Sequence, residues 1–240
     1  GDLYRVEADG TEHILRKDDP NKQRRLQIVV YDNDHPERKL QKMGWPSRWA
    51  AVRPGGDGVA GWGEEADGWQ QDRAAHRFHL DASNTADGRR RWIRYRHIVP
   101  DPSSWTLTAE ALSAELLAQL PRPSLVSDFC NYNAFTGGQG GGGDNDFYWV
   151  GDLTLSCAVS IEAVDPKAEL VLELNEGRLR FRCRLDLVAG TVEFTRRVEL
   201  NRDEDEDVVL ATSSSGISGT GRHDLCFANV DNRLCLWIDD

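Results

Sequence analysis

The sequence predicts a mainly β protein: an antiparallel β-sandwich of the jelly-roll kind with one or two short helices. Three observations carry this expectation. Leu153, Leu155, Cys157, Val159 and Ile161 alternate with Thr154, Ser156, Ala158 and Ser160, the two-residue period of a half-buried strand. Turn-forming pairs punctuate short strand-like runs through residues 149–240. Helical stretches are too few to build a parallel α/β sheet.

The clearest element is a hairpin. Leu170–Leu174 and Leu179–Leu187 flank Glu176-Gly177. With that pair at the tip, Leu174 faces Leu179, Leu172 faces Phe181 and Leu170 faces Cys183 on one side. On the other side Glu173 faces Arg180 and Glu169 faces Arg184, with Asn175 beside Arg178. A one-residue slip would send every leucine to the charged side, so the two faces specify each other. Leu185–Leu187 then pairs with Val192–Phe194 across Val188-Ala189-Gly190-Thr191. Leu225–Asn229 and Leu234–Ile238 flank Asp231-Asn232, a tight-turn pair. That last hairpin is apolar on both sides: Leu225, Phe227, Leu236 and Ile238 share one face, Cys226, Cys235 and Trp237 the other. Its outer face needs a cover, and the N-terminal half is the candidate. Asn201–Asp207 reads as an acidic loop and Ser213–Gly221 as a small-residue loop.

The first half is less regular. Leu3–Val6 and His13–Arg16, split by Asp9-Gly10, form a small hairpin, and Asn21–Tyr31 reads as a short helix or a strand, the helix favoured. Phe78–Leu80 and Trp92–Ile98 read as strands joined by a polar loop with Asp87-Gly88. Thr108 caps a helix running to Leu120, ended by Pro121 and Pro123, with Leu112, Leu116, Leu117 and Leu120 on one side. Thr136–Asp146 is a glycine-rich connection without the Gly-Lys-Ser/Thr ending of a phosphate-binding loop. The organisation expected is a single domain over 1–240. Its segments are the hairpin and short helix or strand (1–35), a Trp/Gly-rich loop region (36–75), the first strands, helix and Gly-rich loop (76–148), and the sandwich hairpins (149–240).

Charge excludes one class of partner. The formal net charge is -11, so a phosphate backbone would be repelled and nucleic acid is not expected. No apolar run is long enough to cross a bilayer, so a membrane is reached only through segments outside this sequence. The chain opens on Gly1 rather than Met and reads as a processed or cut piece. The five cysteines (Cys130, Cys157, Cys183, Cys226, Cys235) contain no Cys-x-x-Cys pair. They read mainly as small core residues and leave the compartment open.

Candidate chemistry is sparse. The triplets Asp32-Asn33-Asp34 and Asp144-Asn145-Asp146 offer oxygen ligands, so Asp32, Asp34, Asp144 and Asp146 are the candidate calcium ligands, with turn formation as the competing account. No other cofactor is expected. Arg178, Arg180, Arg182 and Arg184 form a stripe from which Arg180 and Arg182 could grip an acidic ligand. Neutralisation by neighbouring Glu is the favoured account of that stripe. Trp45, Trp49, Trp62 and Trp69 fall in a polar, Gly-rich stretch, where indoles stack on sugars or, the reading favoured here, cover the outer face of the last hairpin. A glycosidase would need paired, unpartnered carboxylates on one strand face, and Glu169 and Glu173 already face arginines. The six histidines are scattered, and no Gly-x-Ser-x-Gly elbow is present, so no catalytic residue is assigned.

Trp149-Val150-Gly151-Asp152-Leu153, the hairpin from Leu170 to Leu187, and the ending Asn229 to Asp239 with Leu234-Cys235-Leu236-Trp237-Ile238-Asp239 resemble concanavalin A-like and laminin-G-like sandwiches. The runs Gly1–Val6, Ile14–Lys17, Val30–Asp34, Trp92–His97, Ser127–Phe129 and Asn131–Asn133 are similar to long bacterial signal peptidase I-like proteins with a large insertion on the non-cytoplasmic side. That family uses a serine nucleophile deprotonated by a neutral lysine. Its Ser box, lysine strand and Gly-Asp-Asn-x-x-x-Ser-x-Asp-Ser-Arg box are absent, and Gly143-Asp144-Asn145 repeats only three letters of the last. The resemblance therefore implies a non-catalytic accessory domain on the extracytoplasmic (periplasmic) face of a membrane-anchored serine endopeptidase whose dyad precedes Gly1. Its partner would be a protein or peptide. A lectin-like carbohydrate-binding module and a glycoside hydrolase on the same fold are the alternatives.

Overall fold

The structure, a computed structural model, describes residues 4–14, 19–54, 62–64, 68–81, 88–100, 113, 115–116, 123, 125–126, 150–198 and 207–240. The expected Thr108–Leu120 helix (apart from a few residues), the glycine-rich connection, Cys130 and Asn201–Glu206 lie outside the described residues. The fold is mainly β and antiparallel, with two short helices lying wholly within the described residues. The chain divides into two compact units, 1–28 with 127–240, and 29–126.

The first unit is a sandwich of two sheets around one core. Strands β1 (Tyr4–Val6) and β2 (Glu12–Ile14) form the small N-terminal hairpin, with Arg5 opposite His13. Next comes α1 (Pro20–Arg25), capped by Asp19, whose carboxylate accepts from the Asn21 N–H, with proline at the first turn. Helix α2 (Arg38–Lys42) and strands β3 (Trp49–Pro54), β4 (Trp62–Glu64), β5 (Trp69–Asp72), β6 (Arg77–Leu80) and β7 (Trp92–Tyr95) belong to the second unit.

The three-stranded sheet holds β8 (Leu153–Ile161), β13 (Gly221–Val230) and β14 (Arg233–Ile238) in the order β14-β13-β8. The four-stranded sheet is a meander of β9 (Glu169–Glu176), β10 (Leu179–Asp186), β11 (Thr191–Val198) and β12 (Val208–Ser214), inserted between β8 and β13. Leu172, Leu174, Phe181, Cys183, Leu185 and Val192 of one sheet meet Leu225 and Phe227 of the other, with Leu153, Leu155, Cys157, Leu236 and Ile238 at the margin. The Phe194 and Phe227 rings stack across the core at 6.1 Å between centroids.

The β9–β10 register differs from the sequence expectation by two residues. Leu174 pairs with Phe181, Leu172 with Cys183 and Leu170 with Leu185, and Glu173 faces Arg182 rather than Arg180. The turn is Gly177-Arg178, with Gly177 at φ +58°, because a two-residue hairpin of this hand wants glycine at its first central position. An even shift leaves every side chain on its expected face, which is why the inside-outside pattern survives. The β10–β11 pairing is offset in the same even way, with Leu185 opposite Val192. The last hairpin turns at Asp231-Asn232, both at positive φ (50° and 56°), and pairs Leu225 with Ile238 as expected.

The outer face of that last hairpin carries Cys226, Ala228 and Trp237 with Val230 and Cys235 beside them. Among the described residues of this unit, α1 lies against that face. Gln23, nearly fully buried, donates from Nε2 to Asp231 at 3.3 Å and accepts from Arg233 Nη2 at 3.1 Å. The Arg24 guanidinium lies 5.7 Å from the centroid of the Trp237 ring. A short helix suffices because its polar side chains bind the turn while their stems shield the apolar face.

The second unit contains α2 (Arg38–Lys42), a sheet of order β4-β3-β7, and a separate β5–β6 hairpin. Its strands are β3 (Trp49–Pro54), β4 (Trp62–Glu64), β5 (Trp69–Asp72), β6 (Arg77–Leu80) and β7 (Trp92–Tyr95). Thus the Phe78–Leu80 and Trp92–Ile98 segments, expected as neighbours, belong to different sheets: β6 pairs with β5, and β7 with β3. Leu40, Met43, Ala50, Val52 and Ile98 are its buried apolar residues.

Candidate cleft in the second unit

A cleft of about 340 Å³ opens in the second unit between α2, the segment leading into β3, and the β5–β6 turn. Each wall has a local cause. Glu37 caps α2, its side chain accepting from the Lys39 N–H at 3.4 Å. Leu40 and Met43 turn inward to fix the helix. Gly44, at φ +84°, then ends α2 in the left-handed conformation that glycine adopts without strain. The Trp45 N–H bonds back to the Leu40 carbonyl at 2.9 Å, and Pro46 forbids further helix. This reversal places Trp45, Ser47 and Arg48 on the cleft wall.

On the opposite side Asp72 organises the β5–β6 turn by accepting from the N–H groups of Ala74 and Ala75 at 2.9 and 3.0 Å. His76 in that turn sits at φ +54°, and its carbonyl accepts from Asn33 Nδ2 at 3.1 Å. Arg73, Ala74, His76 and Gln71 thereby complete the lining with Tyr31 and Asn33. A shallower hollow adjoins it, sharing Gln71 and Arg73 and adding Arg77 and His79.

Arg48 is the distinctive group. Its guanidinium lies 4.6 Å from the Tyr31 ring centroid, and Nη1 donates to Tyr95 Oη in a long 3.4 Å bond. Among the described residues it has no carboxylate partner, so most of its five donors are unengaged. Tyr95 also meets His97 Nδ1 at 3.0 Å and packs on Tyr31 and Trp49. Burial, then the Arg48 charge, push the His97 imidazole below its ordinary value and keep it neutral. The indole N–H of Trp45 is shielded from solvent without a hydrogen-bond partner. Such an orphan donor costs about 1–3 kcal/mol.

The residues singled out in the sequence distribute as follows. Trp45 lines the cleft, whereas Trp49 packs on Tyr95 at 5.3 Å and Trp69 edge-on against Phe78 at 6.4 Å. Trp62 lies in β4, its side chain outside the described residues. Arg180 and Arg182 are held in an ion-pair ladder on the outer face of the four-stranded sheet. Arg182 reaches Glu173 at 2.7 Å and Asp207 at 3.3 Å, and Arg180 lies 3.6 Å from Glu173. Arg197 binds Asp207 at 2.8 Å, while Arg184 binds Glu193 at 3.0 Å and lies 3.9 Å from Glu169. That face is neutralised rather than poised for a ligand. The Asp32 carboxylate is engaged locally, accepting from the Asp34 N–H at 2.9 Å and meeting His35 Nδ1 at 2.8 Å. Those contacts are turn chemistry, and Asp144 and Asp146 lie outside the described residues. Among the described residues no group of three or more His, Cys, Asp or Glu side chains is placed to hold a metal ion.

In the first unit, His223 Nδ1 contacts Asp239 at 2.8 Å, and Asp239 also accepts from the Asp224 N–H at 2.8 Å. The His223 bond holds the Asp239 carboxyl below its usual value. Among the described residues no hydroxyl or thiol is hydrogen-bonded to that imidazole. The pair ties the C-terminus to β13. The cleft residues Tyr31, Arg48, Gln71, Arg73 and His76 were not foreseen. Only the position of Arg48 between Trp45 and Trp49 hinted at them.

The chain matches no family model, no curated protein and no solved structure. No described helix is long and apolar enough to cross a membrane.

Proposed function

We propose that the chain is a non-catalytic binding module that holds a protein or peptide segment in the cleft of its second unit. The carrying observation is Arg48, a half-buried guanidinium on the cleft wall with no acidic partner among the described residues. Desolvating a charge without pairing it is unfavourable, so such a group is retained where an incoming ligand supplies the missing partner. The motif resemblance to signal peptidase I-like proteins supplies the context: an extracytoplasmic accessory module that positions a peptide for a protease.

The carbohydrate alternative needs open aromatic faces for stacking. Tyr31 carries Arg48, Trp49 packs on Tyr95 and Trp69 meets Phe78, so Trp45 is the one candidate tryptophan on the cleft wall among the described residues, which favours the peptide reading. The glycosidase alternative needs facing, unpartnered carboxylates, and Glu169, Glu173 and Glu193 are each paired with arginine. The test is selection from a displayed random-peptide library on the whole chain, with a glycan array run in parallel. Enriched peptides that compete with one another and change tryptophan fluorescence support the module. Glycan binding without peptide enrichment overturns it.

A further inference from the structure

We infer that the cleft selects acidic peptides, an Asp or Glu side chain sitting on Arg48. This rests on the binding role proposed above and adds the chemistry of the partner.

Three observations converge. Arg48 has no carboxylate partner among the described residues, and its guanidinium lies over the Tyr31 ring, 4.6 Å from the centroid. A guanidinium fork can receive a carboxylate in two parallel bonds. The adjoining hollow continues past Arg73 to Arg77, for neither of which an ion pair is recorded among the described residues, so cationic groups line a path rather than a point. A path favours an extended segment with successive acidic residues over a single terminal carboxylate.

Charge makes this selection unusual. At a net charge of -11 the whole chain repels acidic peptides at long range, so binding has to arise from these local cations. Glu37 and Asp72 are the carboxylates on the two linings; Glu37 caps α2, and both Asp72 bonds go to its own turn. Neither is recorded as an ion-pair partner of Arg48 or Arg73.

The experiment uses the full chain and three labelled octapeptides, N-acetylated and C-amidated. The first contains Asp and Glu among glycines, the second Asn and Gln at the same positions, the third Lys. The acidic peptide is expected to bind at least tenfold more tightly than the amide peptide, and the Lys peptide least. Arg48→Gln should remove at least tenfold of that preference, and Arg73→Gln about threefold. Arg73 is exposed and holds no recorded structural contact, so its variant decides the matter even where Arg48→Gln folds poorly. Equal binding of acidic and amide peptides, or full acidic preference in Arg73→Gln and Arg48→Gln alike, overturns the inference while leaving a peptide-binding module standing. Failure of library-selected peptides and octapeptides alike to bind overturns the module itself. Uptake of an oligouronate with no peptide binding overturns both.

Discussion

Both units carry arginines on β-rich scaffolds, yet they treat them in opposite ways. On the outer face of the four-stranded sheet, Arg182 is only 13% exposed and is bound by Glu173, itself 9% exposed, and by Asp207. In the second unit Arg48 has an aromatic ring, one phenol oxygen and no described acid. The contrast separates charge that stabilises a sheet from charge kept available. An arginine stripe is conspicuous in a sequence and structural in the fold, whereas a single arginine between two tryptophans is inconspicuous and faces a cleft.

The comparison has measurable edges. The largest effect belongs to the core that holds the sandwich together. Phe227 is fully buried against Phe194, and Phe227→Ala should cost about 3–5 kcal/mol in urea unfolding. A loss under 1 kcal/mol would mean the two sheets are not held by this core. Next is Glu173→Gln, which leaves Arg182 and Arg180 short of their shared carboxylate. We expect about 1–3 kcal/mol, less than a fully buried pair because Asp207 still reaches Arg182.

Gly151→Ala should cost about 1–2 kcal/mol. A Cβ there would overlap the Glu176 carboxylate, which accepts from buried Asn229 Nδ2 at 2.8 Å, so the substitution breaks that bond. Arg48→Gln should change stability by about 1 kcal/mol or less, the scale of a cation–π contact. A loss as large as that of Glu173→Gln would make Arg48 structural and erase the distinction between the units.

The last effect is nil at neutral pH. Burial pushes the Cys183 thiol up to about 12, and burial with the neighbouring Cys226 and Asp224 pushes Cys157 up to about 11. Both stay neutral in the fold while the unfolded chain ionises from about 9. Stability is therefore complete below pH 9 and declines as pH rises from 9 towards 12. Thermal melts across that window should fall, and fall less in Cys183→Ala once its neutral-pH cost is subtracted. A melt unchanged to pH 11 would contradict the buried placement.

How much of this was legible depends on periodicity. The faces of β8, β9, β10, β13 and β14 follow from alternation, and Asp231-Asn232 announced its turn. The β9–β10 register was missed by two because alternation fixes parity only, while the turn hand, set by Gly177 at φ +58°, fixes the pairing. Strand β12 was hidden because Val208, Val209 and Leu210 are all exposed on an edge, without alternation, beside a bulge at Phe194/Thr195. The cleft was illegible for a different reason. Tyr31 and Arg48 come from connecting segments, Gln71 from β5, and Arg73 and His76 from the β5–β6 turn, and no spacing rule links them.

The most direct test of the account is amide hydrogen exchange on the full chain with and without the acidic octapeptide. Added protection within residues 31–48 and 71–77, absent in Arg48→Gln, is the predicted result. Protection on β9–β12 around Arg180 and Arg182, with the cleft unchanged, would contradict it.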